Sequence, residues 1–195
     1  TLTRISQYEL AYRMQMSVPD VMDIRQEPAN VIELYGAQPG AASFANNCLL
    51  ARRLVGRNVP FVEVTLGPMQ NNPAGWDTHG QNFQAVQRLS EVLDPAWGTL
   101  MDDLRQRGLL DTTLIIWMGE FGRTPRISKL NGQSLPGRDH WASVYSALFA
   151  GAGVRGGQVI GQSDAIAGYP ISRSWTPADV CTTLFNALGV AGDVA

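Results

Sequence analysis

The chain has 195 residues, enough for one domain with a real core. Its 45% hydrophobic and 16% charged content marks a globular protein and excludes a disordered one. A formal charge of -2 and a pI near 5.6 exclude the basic footprint of a nucleic-acid binder. No run of about eighteen apolar residues is present to span a membrane as a helix.

Residues 1–58 read as helical. Ile5, Tyr8, Leu10, Tyr12 and Met16 form an imperfect apolar face that ends near Pro19. A short helical turn over 31–34 closes at Gly36, and a helix over 42–55 turns Phe44, Cys48, Leu49 and Leu54 inward and stops at Gly56. Residues 58–66 (NVPFVEVTL) alternate and are rich in β-branched side chains, the pattern of a strand. A loop dense in Gly, Pro and Asn follows, over 67–80. Phe83, Val86, Leu89, Leu93, Trp97, Leu100 and Leu104 then recur at helical spacing; Pro95 predicts a kink or two abutting helices, and Gly108 a stop.

The nearly continuous apolar run 111–118 (DTTLIIWM) fits a central strand covered on both faces. A long Gly-, Arg- and Pro-rich loop occupies 119–143. Residues 143–150 read as a second buried strand and 158–161 as a short one. Thr176 caps a last helix that runs to Leu188, with Pro177 in its first turn and Gly189 as its stop. Strands alternating with helices predict a single α/β domain over 1–195: a helical segment 1–58, then a region 59–195 with a mostly parallel sheet flanked by helices. Ligands of such sheets bind beyond the carboxyl ends of the strands, where the loops after the predicted strands gather. The opening on Thr1, inside helix-like sequence, reads as the C-terminal part of a longer protein truncated at its N-terminus.

Both histidines of the chain stand near aspartates in Gly-flanked loops: His79 in GWDTHG (75–80) and His140 in GRDHW (137–141). On an extended loop, Asp77 and His79 are two residues apart and present their side chains to one side. Imidazole with carboxylate suits zinc, manganese or iron, and His140 supplies a third ligand that leaves a position open for water or substrate. Asp139 is a further ligand or an acceptor that orients an imidazole. Glu120, at the end of the 111–118 run, is a candidate ligand for a second metal or a general base. Arg123 and Arg138 are placed to grip an anionic group through a bidentate fork. The composition of fourteen arginines to one lysine hints weakly the same way. This makes Glu120 and Arg123 the catalytic candidates, Asp77, His79 and His140 the metal ligands, and Arg138 and Asp139 the substrate-binding pair.

Plainer readings compete. An isolated Asp-x-His often has an aspartate that only caps its loop. Glu120 can pair with Arg123 or Arg126 structurally, and Trp76 and Trp141 can be packing anchors. Trp97, Trp117 and Trp175 read as core or interface residues. Cys48 and Cys181 lie in apolar helix-like segments and read as buried free thiols, with a disulfide the alternative. Cys48-x-x-x-Arg52 faintly echoes the Cys-x-Pro-x-Arg of sulfatases, but it lacks the proline and sits mid-helix, so it is set aside. The chain contains no Gly-x-Ser-x-Gly elbow and no Walker loop.

WDTHG (76–80), DTTLIIWMGEFGRTP (111–125) and GRDHW (137–141), with the later GAGVRGG (151–157) and the closing helix, resemble the bacterial domain-of-unknown-function 1501 family over most of 59–190. That family resembles a branch of the alkaline phosphatase and sulfatase superfamily. The resemblance implies an alkaline phosphatase-like fold and metal-dependent hydrolysis of a small phosphate or sulfate ester. It implies that Asp77, His79 and His140 share one divalent metal, zinc or manganese. Glu120 and Phe121 stand where the superfamily has an Asp-His pair, so the resemblance also implies an altered or lost second metal site. No match is found for the superfamily's nucleophile or first metal aspartate. Relatives often carry an export signal, so export is the expectation, although none is visible in these residues. A degenerate, non-catalytic member that binds a ligand or partner is the alternative.

Overall fold

A computed structural model describes residues 2–129 and 132–190. Leu130 and Asn131, inside the loop expected over 119–143, lie outside the described residues, as do Thr1 and 191–195. The chain divides into two compact units: residues 1–66 with 90–106, and residues 67–89 with 107–195.

The first unit is helical. It holds α1 (Leu2–Met22), a short 3-10 turn (Ile24–Gln26), α2 (Ala29–Tyr35), α3 (Phe44–Val55) and the later part of α4 (Asn82–Gln106). Ser43 caps α3 by accepting from the Asn46 backbone N–H at 3.1 Å. Gly36 closes α2 in the left-handed conformation, φ +64°, which a residue with a Cβ adopts only with strain. α3 packs on α1 and α2 and buries Phe44, Cys48, Leu49 and Ala51; Ala96, Leu100 and Leu104 are the buried apolar positions of α4 in this unit. Arg53 donates to the carbonyls of Asp20 and Val21, two groups at the C-terminal end of α1 that have no partner in the helix.

Two helix expectations change. α1 runs through Pro19 to Met22, and its expected apolar face is open: Ile5, Tyr8, Leu10, Tyr12 and Met16 are all exposed. α4 runs as one helix from Asn82 to Gln106 with Pro95 inside it. Pro95 lies on the exposed side, while Leu89, Ala96 and Leu100 stay buried on either side of it.

The second unit contains the start of α4, four short strands and α5 (Pro177–Ala187). β1 (Ile115–Trp117) pairs antiparallel with β4 (Leu148–Ala150), and β2 (Gly122–Arg123) pairs antiparallel with β3 (His140–Trp141). A full capping box starts α5: Thr176 Oγ1 accepts from the Asp179 N–H while the Asp179 carboxylate accepts from the Thr176 N–H.

The expected mostly parallel sheet flanked by helices is therefore wrong. Among the described residues there are only two antiparallel sheets of two strands each. A parallel pair needs a crossover between its strands, usually a helix. None lies between β1 and β4 among the described residues, and the chain comes back in the opposite direction. Residues 58–66 pair with nothing in a ladder, and 158–161 form no strand. Only 115–117 and 148–150 of the longer apolar runs pair, and they are half-buried at best, with Trp117 41% exposed. Trp175 is likewise exposed and stacks under the Arg173 guanidinium at 4.5 Å, so neither tryptophan is a core residue. No helix among the described residues is long and apolar enough to cross a membrane.

Candidate metal centre

The segment expected as one long loop folds back on itself. Ser128 and Gly137 exchange two backbone hydrogen bonds, at 3.0 and 2.8 Å, as an isolated bridge, and in the β2–β3 ladder beyond it Arg123 stands directly opposite His140. Opposite residues of an antiparallel pair project to the same face, so this ladder delivers the arginine and the histidine together. Thr124 reinforces it, since its N–H donates to the Asp139 carbonyl at 2.9 Å and its Oγ1 accepts from the Asp139 N–H at 3.1 Å.

The segment 76–80 passes close beneath residue 137. The Arg138 N–H donates to the Thr78 carbonyl at 3.2 Å, and Thr78, itself fully buried, donates through Oγ1 to Asn82 Oδ1 at 3.0 Å. Gly137 is required by that approach. A Cβ there would lie 2.2 Å from the carbonyl carbon and oxygen of His79, well inside contact distance.

Asp77, His79 and His140 meet at this crossing. Nε2 of His140 lies 2.9 Å from Asp77 Oδ1, Nε2 of His79 lies 3.0 Å from the same oxygen, and the two Nε2 atoms are 3.1 Å apart. Behind His79, Nδ1 donates to Asp139 Oδ1 at 2.8 Å, and Ser128 Oγ donates to the other oxygen of that carboxylate at 3.2 Å. The His79 hydrogen bond, ahead of that from Ser128, holds the Asp139 carboxyl below its ordinary range, so it is ionised at neutral pH. An ionised carboxylate only accepts. The proton therefore sits on Nδ1 of His79, and a neutral ring then turns a bare lone pair on Nε2 toward Asp77.

Asp77 is held as an anion as well. The hydrogen bond from His140, then that from Arg123, lower its carboxyl to about 2. Arg123 Nη2 donates to Asp77 Oδ1 and to the Trp76 carbonyl, both at 2.9 Å. The Phe121 ring packs on His140 with centroids 4.3 Å apart. Two acceptors 3.0 Å apart repel unless something positive lies between them. A proton on one ring relieves part of the triangle; a divalent cation relieves all three edges. Ligand bonds of about 2.1 Å put neighbouring donors about 3.0 Å apart at the right angles of an octahedral ion and about 3.4 Å apart at the tetrahedral angle of zinc, so the triangle matches the first and needs to open by a few tenths of an ångström for the second. The three side chains are solvent-accessible, Asp77 most of all at 57%, which leaves room for further ligands.

The other expected site residues take different places. Glu120 is exposed, stands outside the triad, and makes no hydrogen bond or ion pair among the described residues. Arg138 is tied to the Thr124 carbonyl at 3.0 Å, and Asp139 serves His79. Trp141 is an anchor: its Nε1–H donates to the Gly168 carbonyl at 2.6 Å and its ring meets Tyr169 edge-on. Ser128, Thr124 and Phe121 carry no signal in the sequence alone, because each acts through a neighbour that only the ladder brings near.

The chain matches, over residues 1–193, the family described as protein of unknown function (DUF1501). It belongs to that family. The matched span takes in all three motif segments and thus the whole triad. No curated protein and no solved structure matches this chain.

Proposed function

We propose that this DUF1501 member binds one divalent metal, zinc or manganese, through Asp77, His79 and His140 and uses it to hydrolyse a small phosphate or sulfate ester. One observation carries the reading: three side chains from two separate segments bring acceptor atoms to within 3.1 Å of one another at an open surface. Bound there, the metal supplies Lewis-acid polarisation of an ester oxygen and activation of water. The protein's own contribution is orientation. Asp139 fixes the tautomer of His79, Arg123 fixes Asp77, and Phe121 fixes the His140 ring.

A binding-only site is the second reading. It is favoured by the position of Glu120, the candidate second-metal ligand or general base, outside the triad. Turnover of p-nitrophenyl phosphate and p-nitrophenyl sulfate separates the two. Hydrolysis that needs added metal, stops with a chelator and is lost in His140→Ala supports the enzyme. Metal binding without turnover of either ester leaves the binding-only reading standing.

A further inference from the structure

Beside the triad lies a cleft of about 470 Å³. That volume is within the usual range of small-molecule sites, about 300–1,000 Å³. Asp77 and His79 form one wall, the start of α4 another, and Asn71 and Gln133 contribute amides. Arg88 is the single arginine or lysine that lines it.

The arginines expected to grip an anion both hold partners in the fold: Arg123 Nη2 donates to Asp77 and the Trp76 carbonyl, and Arg138 Nη1 donates to the Thr124 carbonyl. Arg88 differs. It makes no hydrogen bond or ion pair among the described residues, and its Nε–H is buried without an acceptor. A buried donor of a charged group without a partner is costly, so the position is short of an acceptor. The same cleft reaches Gln81 and Ala85, where the first turn of a long helix favours negative charge.

We propose that Arg88 is the anion-binding residue of this site. It takes the tetrahedral oxyanion of a phosphate or sulfate group in the cleft and presents it to the metal centre. The guanidinium fork matches two oxygens of such a group. The proposal rests on the reading of Asp77, His79 and His140 as the reacting centre, and it moves the substrate contact from Arg138 and Asp139 to α4.

The test is calorimetric titration of the purified chain with inorganic phosphate and with inorganic sulfate, without metal and with zinc. Arg88→Ala is expected to weaken binding of the preferred anion about ten- to hundredfold under both conditions, the usual loss for one charge-assisted contact. Arg88→Lys is expected to keep part of the affinity, and zinc affinity should not move. The preferred anion tells phosphate esters from sulfate esters. If Arg88→Ala unfolds, Arg88→Gln is read in its place. Unchanged anion affinity in the variant, or no binding of either anion by the wild type, overturns the proposal. The metal-free arm separates this failure from that of the metal reading. A wild-type chain that takes no zinc but loses phosphate binding in Arg88→Ala keeps the Arg88 site and ends the metal reading.

Discussion

Two clusters of ionisable side chains, one in each unit, are built in opposite ways. In the helical unit, Arg52 Nη2 meets Glu27 Oε2 at 2.6 Å, Arg53 pairs with the other Glu27 oxygen, Arg52 Nε lies 3.0 Å from Asp103 Oδ2, and the Tyr35 hydroxyl donates to that same oxygen at 3.0 Å. Each carboxylate there has a cation beside it, and the side chains of Arg52, Arg53, Glu27 and Asp103 are all about nine-tenths buried. The Asp77, His79 and His140 cluster gathers a carboxylate and two imidazole nitrogens round one point, with Arg123 the one guanidinium on Asp77, and stays open to water. A closed, neutralised network holds a fold together. An open cluster of metal-ligating side chains is the one we propose takes a cation. Charge density alone does not tell a structural cluster from a binding one; the balance of donors and acceptors, with exposure, does.

The largest effect should come from breaking the closed cluster. Glu27→Ala leaves two buried guanidinium groups without their carboxylate and is expected to cost about 3–5 kcal/mol in urea unfolding. Asp77→Ala removes an exposed carboxylate and should cost under about 1 kcal/mol, while abolishing metal binding. Equal losses of stability would erase the distinction.

Gly137→Ala comes next. Its Cβ forces the His79 segment away from the ladder, at a cost of about 1–3 kcal/mol together with weaker metal binding. Gly156→Ala, where a Cβ meets nothing, is the neutral control. Thermal melts and zinc titration of both variants check this.

Acid should act on the closed cluster. Burial pushes the Glu27 carboxyl up, but Arg52 and Arg53 outweigh it, and the carboxyl ends below its usual 4.5. The folded state therefore binds the proton less readily than the unfolded chain. The stabilisation is full above about pH 4.5 and is lost as pH falls below it. Melting temperatures from pH 7 to 3 should drop less steeply in Glu27→Gln than in the wild type.

The smallest effect concerns the two thiols, which are both free. Cys48 is buried, and burial pushes its thiol up to about 12; Cys181 is exposed, against the expectation of two buried thiols. A thiol reagent on the native protein at pH 8 should label Cys181 and spare Cys48, and label both after denaturation.

The sequence made the helices and the triad legible for separate reasons. α3 and α5 carry side-chain caps and α3 and α4 carry 3.6-residue periodicity, which are local and survive without tertiary knowledge. The triad was readable because Asp77, His79 and His140 are the right donors in Gly-flanked loops. The sheet was not readable. The run 111–118 has the composition of a central strand, but pairing partner and direction are not local properties, and its partner, residues 148–150, lies across a connection with no helix among its described residues. The partners of Arg123 and Arg138 were not readable for a similar cause. They are carbonyls, such as those of Trp76 and Thr124, that approach only in the fold. Arg88 was missed because on the helix pattern it is one more polar position between Val86 and Leu89.

The most direct test of the central claim is elemental analysis of the purified chain after incubation with zinc or manganese and removal of free metal. The account predicts about one ion per wild-type chain, and none retained by His140→Ala or His79→Ala that still fold. A wild-type chain that retains no metal, or a His140→Ala chain that retains as much as the wild type, contradicts it.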